Sequence, residues 1–173
     1  MAKAAESDAI ALLKADHRKV EGLFAKFESA RGAEQKQRLA AEICAELTVH
    51  TMIEEEIFYP ACREKIKDDD LLDEAFVEHD GAKVLVAEIE AGSPSAEFYE
   101  AKVSVLSEMI KHHVKEEEKR SEGLFAKARS AGVDMDALGT RMTARKEELQ
   151  SEFKAGGLPL PQMRTMSAVA VGR

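Results

Sequence analysis

The clearest signal along the chain is a helical repeat of apolar positions. In the first thirty residues apolar side chains recur every three or four positions, which is the period of an amphipathic helix. The stripe consists of Leu13, Val20, Phe24 and Phe27. Ser7 and Asp8 precede it and are residue types that cap helix N-termini. We therefore expect a first helix that ends near Ala30.

A second stripe begins near Glu34, after the Arg31-Gly32 break. Its inner face reads Leu39, Ile43, Leu47, His50, Glu54, Ile57 and Ala61. Pro60 lacks a backbone N–H and removes a hydrogen bond from the last turns of this helix. The sequence therefore predicts a kink or a distorted last turn near Tyr59.

Two more stripes complete the pattern. The acidic cluster Asp68-Asp69-Asp70 suits the N-terminus of a third helix, which ends at Gly92-Ser93-Pro94. A fourth helix begins after Pro94 and runs at least to Glu118, with a less regular passage from Lys119 to Gly123. The inner faces read Leu72, Phe76, His79, Ala82, Val86 and Ile89, and then Phe98, Val103, Leu106, Ile110, His113 and Glu117.

Four amphipathic helices joined by short loops predict an all-α fold, an up-down-up-down four-helix bundle. We expect the bundle at residues 1–131 and an additional C-terminal helix at residues 132–156, which would pack across the bundle or form a homodimer. Gly156-Gly157 ends that helix, and the proline-containing segment 157–173 reads as a flexible tail.

Composition and charge narrow the class of protein. The 33 acidic and 25 basic residues give a net charge of −8, and such a surface repels a phosphate backbone, so we expect no nucleic-acid partner. No apolar run approaches the length of a membrane span, and no secretory signal pattern is present, so we expect a cytoplasmic protein without a membrane partner. Cys44 and Cys62 would lie roughly 27 Å apart on one helix and cannot pair.

The feature that carries chemistry is the spacing of the histidines. His17 and His50 are 33 residues apart, His79 and His113 are 34 apart, and each second histidine precedes a glutamate by four residues. The chain thus contains the pattern H…HxxxE twice. Residues i and i+4 share one side of a helix, so His50 with Glu54, and His113 with Glu117, present a nitrogen and a carboxylate toward one point.

These six side chains form a candidate metal site. His17 and His79 on the other two helices complete a set of four imidazoles and two carboxylates around the bundle axis, which is enough for two metal ions. A carboxylate on the core side of a helix is costly unless it is paired or bound to a metal. Nitrogen and oxygen donors without thiolate favour iron, with manganese or zinc as alternatives.

Other polar residues near these motifs receive simpler interpretations. We expect Glu55, Glu56, Glu116 and Glu118 to be solvated, because they turn away from the apolar stripes. His112 lies on a more polar stripe and is expected at the surface or beside a ligand without binding the metal, and a His112-Glu116 register is a minority alternative. Asp16 and Asp80 could accept from the rings of neighbouring histidines, but helix-cap or surface positions are expected because adjacent residues point about 100° apart.

The helices that carry His17, HTMIE at 50–54, His79 and HVKEE at 113–117 resemble the hemerythrin family, specifically the bacterial HHE cation-binding domains. The resemblance covers residues from about 8 to 130. It implies a four-helix bundle with a carboxylate-bridged pair of iron ions and an oxo or hydroxo bridge. His17 and His50 would hold one iron, His79 and His113 the other, and Glu54 and Glu117 would bridge.

One departure from the family pattern changes the functional expectation. Oxygen-carrying hemerythrins have a further histidine four residues after the one that matches His79, and here that position is Lys83. The resemblance then implies a more open site, which favours reaction with a small oxidant such as H2O2, O2 or NO over storage of O2. The alternatives are an iron- or oxygen-responsive sensor without turnover, and a purely structural bundle.

Overall fold

A computed structural model describes residues 8–67, 69–159 and 161–166, and the regular structure in these residues is helical. Ser7, Asp68 and the tail residues 160 and 167–173 lie outside the described residues, as do the expectations that fall on them. Asp8 caps the first helix as expected, because its side chain accepts the backbone N–H of Ala11 at 2.8 Å.

The helices have the following bounds: α1 Ala9–Ser29, α2 Ala33–Ile53, α3 Tyr59–Lys65, α4 Asp69–Glu90, α5 Tyr99–Glu118, α6 Leu124–Ser130 and α7 Met135–Ala155. A π-helical segment, Glu54–Phe58, joins α2 to α3 without a break. Helix α1 packs against α2 and α5, and α4 packs against the same two helices. The four long helices therefore close into a ring, and the expected all-α four-helix bundle is confirmed.

The bundle interior is divided into three layers. One apolar cluster includes Leu13, Ile53 and Phe58 and extends to residues of α6 and α7. A second cluster, at the opposite end, includes Phe24, Ile43 and Leu106. Between the two clusters lie buried polar side chains from all four bundle helices. The histidines and glutamates of the sequence pattern belong to this middle layer.

The distortion expected near Tyr59 occurs as the π-helical segment. The N–H of Tyr59 reaches back five residues to the carbonyl of Glu54, one residue further than in an α-helix. Pro60 follows at once, and the wider turn suits a residue that has no N–H and whose ring crowds the preceding turn. The extra residue rotates the side chains that follow it relative to a regular helix.

The fourth bundle helix differs from expectation at its N-terminal end and agrees with it at its C-terminal end. Phe98 is not on the inner face: it precedes the helix with φ 65° and is 66% exposed. At the other end α5 stops at Glu118, and the chain folds back on itself at Gly123. A Cβ atom there would lie 2.5 Å from the carbonyl oxygen of Glu117, so glycine permits this close return and the start of α6.

Helix α7 packs on the bundle of its own chain, against α1 and α2. Met142 and Leu149 are fully buried there and belong to the same apolar cluster as Leu13. A homodimer through this helix, the domain boundaries and the flexibility of the tail stay predictions. Among the described helices, none combines the length and apolar character needed to cross a bilayer.

We predict that Leu149→Ala lowers the free energy of unfolding by about 2–4 kcal/mol, because it leaves a cavity in a shared core. Chemical denaturation of the full chain measures this change. Phe153→Ala, at a position of α7 that is 48% exposed, serves as the control and is expected to cost less than about 1 kcal/mol. Equal effects of the two changes would mean that α7 is not part of the bundle core.

Candidate metal centre

All six candidate ligands of the sequence pattern lie in the middle layer of the bundle. His17, His50, Glu54, His79, His113 and Glu117 are each at most 7% exposed. Two groups of ligand atoms lie close enough together to hold a cation: one comprises His17, His50, Glu54 and Glu117, and the other comprises Glu54, His79 and His113. Glu54 belongs to both groups. The structure thus brings together the side chains that spacing alone selected.

The four imidazoles point their Nε2 atoms toward the two carboxylates. Oε2 of Glu54 lies 3.3 Å from Nε2 of His50 and 3.2 Å from Nε2 of His79. The two oxygens of Glu117 lie 3.4 Å from Nε2 of His17 and 3.6 Å from Nε2 of His113. Each carboxylate therefore lies between a histidine of one pair and a histidine of the other pair.

The Nδ1 atoms point outward, and each faces a carboxylate. The distances are 2.7 Å from His17 to Glu118, 3.6 Å from His50 to Asp16, 3.1 Å from His79 to Glu55 and 2.7 Å from His113 to Glu78. A carboxylate on Nδ1 fixes the ring orientation and the tautomer that leaves Nε2 free to bind a metal ion. The contacts of His17, His79 and His113 are hydrogen bonds of the kind that orient histidine ligands in protein metal sites. Asp16 lies just beyond hydrogen-bonding distance of His50 and acts on it through its charge.

Several of these partners correct the sequence-based expectations. Glu55 is 6% exposed rather than solvated, because the π-helical segment turns it toward α4. Asp16 is not a surface or cap residue, since its side chain is 10% exposed and faces His50. Glu118 accepts from His17 although we expected it to be solvated. His112, in contrast, is at the surface as expected, with 64% of its side chain exposed.

Asp80 and Lys83 also differ from expectation. Asp80 is fully buried, and its Oδ2 atom accepts the backbone N–H groups of Arg164, Thr165 and Met166 at 2.6–3.1 Å. Lys83 is buried as well, and its Nζ atom lies 2.7 Å from Glu55 and 2.9 Å from Asp80. The position of the missing fifth histidine is therefore occupied by an ion-paired lysine that is directed away from the Nε2 atoms.

Sequence reasoning missed Tyr59 as a member of this centre. Its hydroxyl oxygen lies 3.1 Å from Nε2 of His79 and 3.4 Å from Nε2 of His113. The hydroxyl oxygen also lies 3.0 Å from an oxygen of Glu117 and 3.2 Å from an oxygen of Glu54, and it donates its proton to one of them. Tyr59 is five residues from Glu54 and would point elsewhere in a regular helix. The one sequence signal was Pro60, which predicted a distortion near Tyr59 but not its direction.

Charge pairing determines the protonation of Glu54 and of the two histidines beside it, His50 and His79. Burial alone would lower the pKa of His50, but the carboxylates of Glu54 and Asp16 outweigh it and raise the pKa to about 10. The same balance, with Glu54 and Glu55, raises the pKa of His79 to about 9. Burial opposes the ionised form of Glu54, yet the two histidines hold the pKa of its carboxyl well below the ordinary value.

Four inward-facing atoms have no hydrogen-bond partner among the described residues. They are Nε2 of His17, Nε2 of His50, Oε1 of Glu54 and Oε2 of Glu117. Buried polar atoms without partners are costly in a folded protein. A cation that accepts lone pairs from imidazole and carboxylate satisfies these atoms, so the residues present fit a metal centre.

A small cavity of about 20 Å³ adjoins the centre. The four histidines line it together with the apolar side chains of Val20, Leu47, Ile110 and Val114. A water molecule needs about 10–15 Å³ of such space. The cavity therefore has room for about one water-sized molecule beside the histidines.

Comparison with known proteins agrees with this geometry. The Hemerythrin HHE cation binding domain matches residues 8–125 of the chain. The chain belongs to this family. Membership and the buried His/Glu clusters together support metal binding, and the resemblance seen in the sequence is confirmed.

Two proteins similar to this hemerythrin-like chain are a longer relative and a solved structure. A DNA nickase from Nostoc sp. is 30% identical over 161 residues, which are 93% of this chain and 42% of that protein. A crystal structure of a Hemerythrin HHE cation binding domain-containing protein from Mycobacterium kansasii matches with a TM-score of 0.69 at 22% identity, covering 87% of this chain and 94% of that one. The second likeness shows a common fold.

We predict that the metal-free protein loses stability as the pH rises from 6 to 9. The pKa values of His50 and His79 are raised above the ordinary value of 6.5 in the folded state. Between that value and the folded pKa the native protein binds more protons than the unfolded chain, so the stabilisation present at low pH disappears. Thermal unfolding in the presence of a chelator measures the trend, and a Tm that rises over this range would contradict it.

Proposed function

We propose that this centre binds two iron ions and that the iron-loaded protein reacts with a small oxidant such as H2O2, O2 or NO. The observation that carries the proposal is the convergence of six buried nitrogen and oxygen donors, four of whose atoms lack any hydrogen-bond partner in the described chain. Donors of this kind without a thiolate favour iron. When bound, iron supplies access to the +2 and +3 states, which is the basis of its reactions with oxidants.

The contacts support a particular division of the ligands. The rings of His17 and His50 lie 4.9 Å apart, and those of His79 and His113 lie 4.7 Å apart. Each pair would hold one ion. Glu54 and Glu117 each reach both pairs, so these two carboxylates would bridge the ions.

Tyr59 is a further candidate donor to the ion held by His79 and His113. Burial and the nearby carboxylates of Glu117 and Glu54 raise the pKa of its hydroxyl well above 10, so the metal-free protein keeps a proton on this oxygen. In that state the hydroxyl donates to one of the two carboxylates. The same oxygen would either bind the ion or supply a proton beside the reacting molecule.

The cavity and its surroundings determine which molecules would reach the centre. Its apolar side favours uncharged ligands, and its volume of about 20 Å³ admits only very small ones. Lys83, at the position of the missing histidine, is ion-paired with Glu55, and the open space beside the histidines is lined by Ile110 and Val114. This arrangement supports a reaction with peroxide, dioxygen or nitric oxide.

We also propose a small-molecule partner rather than a nucleic acid for this chain. The Nostoc relative is named for an action on DNA, but the chain spans less than half of that protein. The net charge of −8 favours repulsion of a phosphate backbone. The activity of the longer relative is therefore not carried to this chain.

We predict about two iron ions per chain after reconstitution with Fe²⁺, and about one in His113→Ala, because the change removes a ligand that the second ion requires. Elemental analysis after removal of unbound metal measures the ratio. His112→Ala is the matched control: it removes the neighbouring, exposed histidine and should retain both ions. Iron-free wild-type protein would contradict the proposal.

We predict that the iron-loaded protein consumes H2O2 and that Glu117→Gln slows this reaction about tenfold or more, because the substitution removes a bridging charge. Steady-state peroxide consumption per bound iron measures the effect. Glu116→Gln changes a half-buried residue of the same helix that pairs with Lys119 rather than with a histidine of the centre, and it should match the wild type. A protein that binds two irons but consumes no peroxide would support the sensing alternative instead.

A further inference from the structure

The C-terminal extension, defined as residues 135–159 and 161–166, follows the last residue matched by the family domain. It consists of α7 and the segment after it. None of its side chains faces an Nε2 atom of the centre among the described contacts. Two of its basic residues nevertheless contact the carboxylates that orient histidine ligands.

The first of these contacts starts on α7. Nζ of Lys146 donates to Oδ1 of Asp16, and the other oxygen of Asp16 faces Nδ1 of His50 at 3.6 Å. Both charged groups are largely enclosed, since the side chains of Lys146 and Asp16 are 19% and 10% exposed. Low solvent access strengthens the pair and limits the rotamers open to Asp16.

The second contact starts in the segment after α7. Nε of Arg164 donates to Oε2 of Glu55 at 2.9 Å, and Oε1 of Glu55 lies 3.1 Å from Nδ1 of His79. The segment is itself anchored, because Asp80 accepts three of its backbone N–H groups and Lys83 donates to the carbonyl of Gln162 at 2.8 Å. Arg164 is thus held in place beside Glu55.

Among the described contacts, the carboxylates beside the other two histidines have partners in the bundle and none in the extension. Glu118, the partner of His17, pairs with Arg18 of α1 at 2.5 Å. Glu78, the partner of His113, is a residue of α4 with His112 nearby at 3.4 Å. The extension therefore supports one histidine of each pair, His50 in the first and His79 in the second.

We infer that Lys146 and Arg164 are positioning residues of the metal centre. Each holds a carboxylate, Asp16 or Glu55, in the orientation that keeps Nε2 of the attached histidine directed at the ion. Outer partners of metal-binding histidines typically change metal affinity by about 10–100-fold when removed, because they fix the ring and its tautomer. The inference rests on the proposed metal binding and assigns the extension a part in it.

A double-mutant cycle on the full chain, with Co²⁺ as the spectroscopic probe, tests this inference. We expect Lys146→Met to weaken Co²⁺ binding about threefold to tenfold and Asp16→Asn about tenfold or more. Adding Lys146→Met to Asp16→Asn should change nothing further, because the lysine acts through that carboxylate. The cycle of Arg164→Met with Glu55→Gln should behave in the same way.

Arg145→Met separates positioning from mere docking of the helix. Arg145 neighbours Lys146 on α7 and pairs with Glu56 at 2.8 Å, which anchors the extension without contacting the carboxylate partner of a histidine. We expect it to leave Co²⁺ affinity within about twofold of the wild type, and Lys146→Arg to restore most of the loss seen with methionine.

The outcomes of this experiment separate the inference from the proposed function. Additive effects in both cycles, or an equal loss in Arg145→Met, would overturn the inference. Wild-type protein that binds no Co²⁺ or Fe²⁺ would overturn the proposed function as well. If Asp16→Asn does not fold, as judged by circular dichroism, the comparison of Lys146→Met with Lys146→Arg and Arg145→Met decides the question.

Discussion

The burial of a polar layer inside a helical bundle is the constraint on which the rest of this structure depends. Four imidazoles, two inner carboxylates and a phenol lie between two apolar clusters. Taking such groups out of water is costly unless each finds a partner. Carboxylates at Nδ1 provide one for His17, His79 and His113. Nε2 of His17, Nε2 of His50 and one oxygen each of Glu54 and Glu117 have none among the described residues, and these four atoms face the interior, where a cation would complete the layer.

A single irregular segment sets much of that geometry. The π-helical residues Glu54–Phe58 direct Glu54 into the centre, Glu55 toward His79, and Tyr59 between the imidazoles. In a regular helix these three residues would not all face the interior. Adjacent positions such as 54 and 55 point about 100° apart, and positions 54 and 59, five residues apart, also point in different directions. Pro60 disfavours the regular alternative, so a local backbone property has consequences for three groups of the centre.

The C-terminal extension packs on the family domain and contacts its polar layer. Its helix shares an apolar core with the bundle, and its basic residues reach Asp16 and Glu55. The packing of this helix therefore places these basic residues beside the carboxylates that face His50 and His79. Lys83 joins this network through Asp80 and Gln162, so the residue that replaces a histidine of the oxygen carriers becomes part of the attachment site for the extension.

The sequence by itself determined the helices, the bundle and the six side chains that converge, because helical periodicity and the i, i+4 spacing of His50 with Glu54 are local properties. It could not identify the outer carboxylates. Asp16 and Glu118 reach their histidines across helix interfaces, and Glu55 reaches His79 only because of a backbone distortion. Tyr59 was hidden for the same reason. Contacts between helices depend on rotation and on inserted residues, and only the tertiary structure decided those.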